Sequence, residues 1–138
     1  MYKRQINEGE TSADTLVREG AWQVLTFGPA LVKDGQVTVS SSDEVGRAMT
    51  SNPRTAIGQC ADGSVLLLVL DGRSINTLGA TMQDVADIML EYGAVNAGNL
   101  DGGSSSVMVY DGEIINNCAS VTGPRNIPTA FIVLPEGD

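Results

Sequence analysis

One segment repeats apolar side chains at helical spacing. Met82, Val85, Ala86 and Met89 fall at i, i+3, i+4 and i+7, which predicts one amphipathic helix over about residues 81–92. Thr81 with Asp84 has the spacing of a capping box, and Gly93 sits where a helix-ending glycine belongs. Two apolar runs flank this helix and end alike. Val65-Leu66-Leu67-Leu68-Val69-Leu70 leads into Asp71-Gly72, and Ala94-Val95-Asn96-Ala97-Gly98-Asn99-Leu100 leads into Asp101-Gly102. The first run is continuously apolar, as in a strand covered on both faces. Strand, helix, strand with tight connections predicts a βαβ unit with parallel strands, so Asp71 and Asp101 should share one edge of the sheet.

Elsewhere the pattern is that of antiparallel strands. Asp34-Gly35, Asp62-Gly63 and Asp111-Gly112 each separate two β-prone runs. Asp-Gly in that setting predicts a two-residue hairpin, because both central residues of a type I′ turn need positive φ. Residues 21–27 and 30–39 read as strands, 40–52 as a surface loop with room for one helical turn, 53–60 as a strand, and 129–134 as an apolar strand inserted in the sheet. The expected fold class is α+β: a mixed sheet with Asp-Gly hairpins and one βαβ unit. Residues 1–20 are charged and lack a sustained period. They form a separate N-terminal segment, a strand or helix fragment or a piece packed on another surface.

A chain of 138 residues fits one domain with a real core. No apolar run approaches the ~20 residues of a membrane span. The N-terminal residues lack the apolar core of a signal peptide, which fits a cytosolic chain or one whose leader has been removed. Eight basic and seventeen acidic residues give a net charge of −9, which argues against nucleic acid as a partner. Histidine is absent, removing the usual general base, the usual zinc ligand and the Ser-His-Asp mechanism. Catalysis would fall to carboxylates, arginines, lysine, tyrosine or hydroxyls. Cys60 and Cys118 are neither a zinc set nor a CxxC pair, and spacing leaves open whether they bond.

Candidate chemistry gathers at Asn99-Leu100-Asp101-Gly102-Gly103-Ser104-Ser105-Ser106. Glycines let backbone approach a ligand, while bare N–H groups and hydroxyls supply donors. Ligands of α/β sheets bind outside the carboxyl ends of parallel strands, where both Leu-Asp-Gly turns should lie. Asp71 and Asp101 are therefore candidate catalytic carboxylates of the glycosidase kind. A separation near 5 Å favours a nucleophile, and ~6.5–9.5 Å leaves room for an attacking water. The alternative is a hard cation, Ca²⁺ or Mg²⁺, on Asp71, Asn99 and Asp101. Arg54, Arg73 and Arg125 each abut a strand end or turn; two of them converging on Gly102-Gly103 would make a phosphate site. Ser104, Ser105 and Ser106 would hydrogen-bond phosphate or sugar without attacking. Trp22 and Tyr110 could stack on a sugar.

Taken together, Pro53-Arg54-Thr55-Ala56-Ile57-Gly58, Leu70-Asp71-Gly72-Arg73, Asn99-Leu100-Asp101-Gly102-Gly103-Ser104-Ser105 and Arg125-Asn126-Ile127-Pro128-Thr129-Ala130-Phe131-Ile132-Val133 resemble the phosphodiester glycosidase family over about residues 21–134. The resemblance implies hydrolysis of a sugar-1-phosphodiester such as one of N-acetylglucosamine, freeing the sugar and leaving a phosphomonoester. The rival is a non-catalytic carbohydrate- or phosphosugar-binding module on the same scaffold. By motif match, Arg54, Asp71, Arg73, Asn99, Asp101, Gly102, Gly103 and Ser104 become candidate site residues, with Arg125 added from its position. The expected roles are Asp101 and Asp71 as catalytic groups and the others as substrate-binding, with no metal and no cofactor. The resemblance also implies an extracytoplasmic or secreted setting. Nothing in residues 1–52 matches the family's upstream Asn-Gly-Gly-Phe-Phe-like motif, so residues 21–138 are expected to be completed by an upstream segment or a partner chain.

Overall fold

A computed structural model describes residue 9 and residues 11–21, 23–39 and 50–135. Helix α1 (Ala13–Arg18) comes first and buries none of its residues. The main sheet then contains β1 (Ala30–Lys33), β2 (Gln36–Val37), β3 (Arg54–Cys60), β4 (Val65–Leu70) and β5 (Ala94–Asn99), with helix α2 (Met82–Glu91) between β4 and β5. The strand order is β2-β1-β5-β3-β4, and a separate ribbon pairs β6 (Val109–Tyr110) with β7 (Glu113–Ile114).

The α+β class holds, with one refinement of the strand–helix–strand unit. β3 is antiparallel to both β4 and β5 and lies between them. The two strands flanking α2 therefore run parallel, as expected, but every ladder between named strands is antiparallel. Leu70 pairs with Arg54, and the Leu100 N–H donates to the Thr55 carbonyl at 2.9 Å. Both Leu-Asp-Gly turns thus leave the sheet beside the start of β3.

Helix α2 follows its sequence closely. The Thr81 hydroxyl accepts from the Asp84 N–H at 3.1 Å, and the Asp84 carboxylate accepts from the Thr81 N–H at 2.7 Å, closing the capping box. Gly93 takes φ +85° just past the end. Met82, Val85, Ala86 and Met89 are buried with Leu31, Val32, Ala56, Ala94 and Ala97, so the core lies between α2 and one face of the sheet.

Asp34-Gly35 and Asp111-Gly112 have positive φ at both residues, as a type I′ hairpin requires. Asp62-Gly63 differs, since only Gly63 has positive φ and its N–H donates to the Cys60 carbonyl. This is a longer loop in which glycine alone supplies the left-handed residue.

Three apolar runs are covered less than their composition suggests. Residues 23–29 form no strand, and Val24, Leu25 and Phe27 are exposed. β4 is an edge strand: Leu66, Leu68 and Leu70 face the core while Val65 and Leu67 face outward, so one face is covered instead of two. Residues 129–134 form no strand, and Phe131, Ile132, Val133 and Leu134 are exposed. Apolarity favours burial, but a strand also needs a partner edge. Trp22 and residues 40–49 lie outside the described residues. Among the described residues no helix is long and apolar enough to cross a membrane.

The entry to β3 is the tightest point of the fold. A Cβ added to Gly79 would stand 2.3 Å from the Asn52 carbonyl group, one on Gly72 2.7 Å from the Pro53 nitrogen, and one on Gly102 2.6 Å from the Pro53 oxygen. Gly79 also has φ +104°. Gly63 has φ +90° with open space around it. Gly63→Ala should therefore cost about 1–2 kcal/mol through backbone conformation alone. Gly79→Ala should cost clearly more, measured as the denaturant midpoint of each variant.

Hydrogen bonds from Thr81 hold the Asp84 carboxyl below its ordinary pKa. A depressed carboxyl stabilises the fold above its unfolded pKa of about 3.9, and that stabilisation is lost as pH falls through the folded value. Asp84→Asn should thus be about 0.5–1 kcal/mol less stable than the parent at pH 7. The gap should narrow at pH 3, checked by denaturation at both pH values.

Candidate active site

An open cleft of about 380 Å³ lies at the start of β3. Its wall includes Arg54, Arg73, Asn99, Asp101, Gly102, Gly103, Ser104 and Arg125. All of the candidate residues except Asp71 therefore meet at one place. Asn52, Phe27, Gly28 and Met82 complete much of the remaining wall.

Arg54 is the first residue of β3 and only 7% exposed. Its Nε donates to the Ala80 carbonyl at 2.9 Å and an Nη to the Thr50 carbonyl at 2.6 Å. Burial, and then the neighbouring Arg73 charge, lower its pKa from the ordinary arginine value. Arg73 follows the first Leu-Asp-Gly turn with φ +53°, in the left-handed region. Its Nε and an Nη both donate to the Asn52 side-chain oxygen, at 3.2 and 2.8 Å. The guanidinium then lies over Gly103, where an added Cβ would come within 3.3 Å of it. Arg73 thus stands over the glycine turn, and Arg54, near enough to feel its charge, lines the same cleft. Held together in a partly dry cleft they repel, and an anion between them relieves that repulsion.

The second turn is equally constrained. The Gly103 N–H donates to the Pro53 carbonyl at 2.9 Å, and residues Gly103–Ser105 coil into a single 3₁₀ turn. That turn delivers Ser105, whose hydroxyl donates to the Asp101 carboxylate at 2.7 Å and accepts from Arg125 Nε at 2.9 Å. Arg125 also pairs directly with Asp101 at 2.8 Å, with both side chains about half exposed. Ser106 is buried against the Thr55 hydroxyl. Of the three serines expected to meet a ligand, Ser104 lines the cleft, while Ser105 and Ser106 make internal contacts.

Asp71 stands apart from the cleft wall. Its Oδ1 accepts from the Asn117 N–H at 3.0 Å and from Asn116 Nδ2 at 3.2 Å, and its Oδ2 accepts from Asn117 Nδ2 at 2.9 Å. Asn116 in turn bonds the Met108 N–H and the Ser106 carbonyl. Asp71 therefore ties the segment after β7 to the back of the serine turn. Asp71 and Asp101 therefore have separate partners, Asn116 and Asn117 for the first and Ser105 and Arg125 for the second. Among the described residues no three His, Cys, Asp or Glu side chains converge. Tyr110 lies exposed on the β6–β7 ribbon and is not part of the cleft wall, where the aromatic residue is Phe27. Both cysteines are free thiols. Sequence reasoning missed Asn52, the clamp on Arg73; its position before Pro53 at a strand entry was the available signal. It also missed Asn116 and Asn117, which carry no such signal.

Two arginines besides Arg125, a glycine turn and a carboxylate thus line one cleft of an α+β domain. The phosphodiester glycosidase family matches residues 3–134, and the chain belongs to that family. It is 35% identical over 129 residues, 94% of its length, to the SPbeta prophage-derived uncharacterized protein YomE of Bacillus subtilis. It is 31% identical over 99 residues, 72% of its length, to N-acetylglucosamine-1-phosphodiester alpha-N-acetylglucosaminidase of Bos taurus. The chain covers 20% and 18% of these relatives respectively. The catalytic domain of the zebrafish enzyme of the same name superposes with a TM-score of 0.55 at 25% identity, over 63% of this chain and 32% of that one.

Inorganic phosphate should raise the melting temperature of the wild-type chain, because a ligand of the folded state stabilises it by mass action. The rise should shrink sharply in Arg73→Ala and at high salt, as read by thermal unfolding across a phosphate series.

Proposed function

We propose that this cleft binds a sugar-1-phosphodiester, with N-acetylglucosamine as the first sugar to test, and that the full-length protein hydrolyses it. The observation that best supports this is the placing of Arg54, Arg73 and Asp101 on one cleft, with the Arg73 guanidinium over Gly103. The arginines hold the phosphate. Asp101, the carboxylate of the cleft wall among the described residues, takes the acid–base or nucleophilic role at the anomeric carbon. In the water route, Asp101 accepts a proton from water as the new carbon–oxygen bond forms. The bond to the phosphate oxygen breaks, and its electron pair stays on the phosphomonoester. That leaving group is already stabilised by two guanidiniums and needs less protonation than an alcohol, which suits a chain without histidine. Ser105 and Arg125 orient the carboxylate, and Asp71 acts at one remove by anchoring Asn116 and Asn117 behind the turn. We assign an extracytoplasmic setting on family grounds, with an upstream segment or a partner chain completing the domain.

A second reading, a phosphosugar-binding module without turnover, draws on the Arg125–Asp101 ion pair, which occupies the carboxylate. Sugar release from a phosphodiester of N-acetylglucosamine 1-phosphate by the full-length protein separates the two. Asp101→Asn should lower turnover by about a hundredfold or more while leaving the melting temperature within a few degrees. Absence of sugar release by the parent at every pH from 4 to 9 would leave the binding module standing.

A further inference from the structure

One buried side-chain polar atom among the described cleft residues has no hydrogen-bond partner. Asn99 is 3% exposed, and its side-chain oxygen makes no hydrogen bond. Its amide nitrogen donates to the Gly28 carbonyl at 2.8 Å, which fixes the other atom as the oxygen. A buried acceptor without a donor costs on the order of 1–3 kcal/mol, so such an atom in a ligand cleft points to a donor that arrives with the ligand.

Its place in the sheet indicates which donor. Asn99 pairs directly with Ala56, and directly paired residues project to the same face. Arg54, two residues before Ala56 on β3, projects to that face as well. Both side chains therefore stand on the face covered by α2, near its amino end, where Met82 also lines the cleft. Arg54 and Asn99 are thus diagonal neighbours about 7–8 Å apart, a gap that a long arginine side chain spans. On a sugar 1-phosphate the donor nearest the phosphate is the one on the adjacent carbon, because the ring oxygen on the other side has no hydrogen to give.

We infer that Asn99 is a specificity-determining residue whose amide oxygen accepts a hydrogen bond from the N–H or O–H on the sugar carbon next to the phosphate-bearing one. The ligand class is a sugar 1-phosphate with a 2-acetamido or 2-hydroxyl group, as opposed to a 2-deoxy sugar. This rests on the phosphate assignment of the arginines made above.

Calorimetric titration of the wild-type chain with N-acetylglucosamine 1-phosphate, glucose 1-phosphate, 2-deoxyglucose 1-phosphate and inorganic phosphate tests it. At least one of the two donor-bearing sugars should bind about tenfold or more tightly than the 2-deoxy compound. Asn99→Leu should erase that advantage while leaving inorganic phosphate affinity within about twofold, and Arg73→Ala should weaken every probe. Equal affinity for the 2-deoxy sugar would overturn the role of Asn99 and leave the phosphate cleft intact. Binding of no probe would overturn the phosphate assignment itself, and this inference with it. Should Asn99→Leu fail to fold, the wild-type series alone decides, because the comparison is between ligands.

Discussion

The close passage of Asn52 and Pro53 between three glycines is the constraint on which the rest depends. Gly72 and Gly79 press from one side and Gly102 from the other, each leaving too little room for a methyl group. Pro53 is fully buried there. A proline at this point is compatible because its carbonyl accepts from Gly103 while it has no N–H to satisfy. Because β3 enters through this gap, the turns leaving β4 and β5 are held against its first residue. Arg54, Arg73 and Gly103 thereby share one cleft. The two Leu-Asp-Gly turns look alike in sequence because each brings a glycine against the same proline. Their aspartates nevertheless diverge, Asp101 toward the cleft and Asp71 toward Asn116 and Asn117.

What could be read from the sequence follows from the range of the interactions involved. Helix α2, its capping box and its buried face were legible because they depend on neighbours three or four residues away. The hairpins at Asp34-Gly35 and Asp111-Gly112 were legible for the same reason. Residues 21–27 and 129–134 read as strands because apolarity does not name a pairing partner, and neither 23–27 nor 129–134 forms a strand in the structure. β4 was read as doubly covered for a related reason: a continuous apolar run does not say whether its strand is central or at an edge.

The candidate site was legible as a set of residue types and less so as a geometry. The repeated Leu-Asp-Gly turns and the parallel strands behind them put both turns at one end of the sheet, and the structure agrees. The turn also shows that a run of hydroxyls is not a run of ligands. Ser104 faces the cleft, Ser105 bridges Asp101 and Arg125, and Ser106 closes on Thr55. A 3₁₀ turn rotates successive residues by about a third of a circle, so Ser104 and Ser105 face different directions, and Ser106 follows in extended backbone.

The charge of the whole chain and the charge of the cleft oppose one another, and their ranges decide which governs binding. The chain carries −9 overall, a field that repels anions at long range. Among the described residues the charged groups on the cleft wall are Arg54, Arg73, Arg125 and Asp101, and their sum is positive. At physiological salt, exposed charges are screened beyond about 8 Å, whereas groups in partial burial are screened much less. The acidic surface therefore weakens with salt faster than the buried part of the arginine pair, and a phosphate that reaches the cleft meets the positive field at close range. Arg54, buried and shielded, supplies the durable part of that attraction; Arg73 and Arg125, more exposed, supply the part that salt removes.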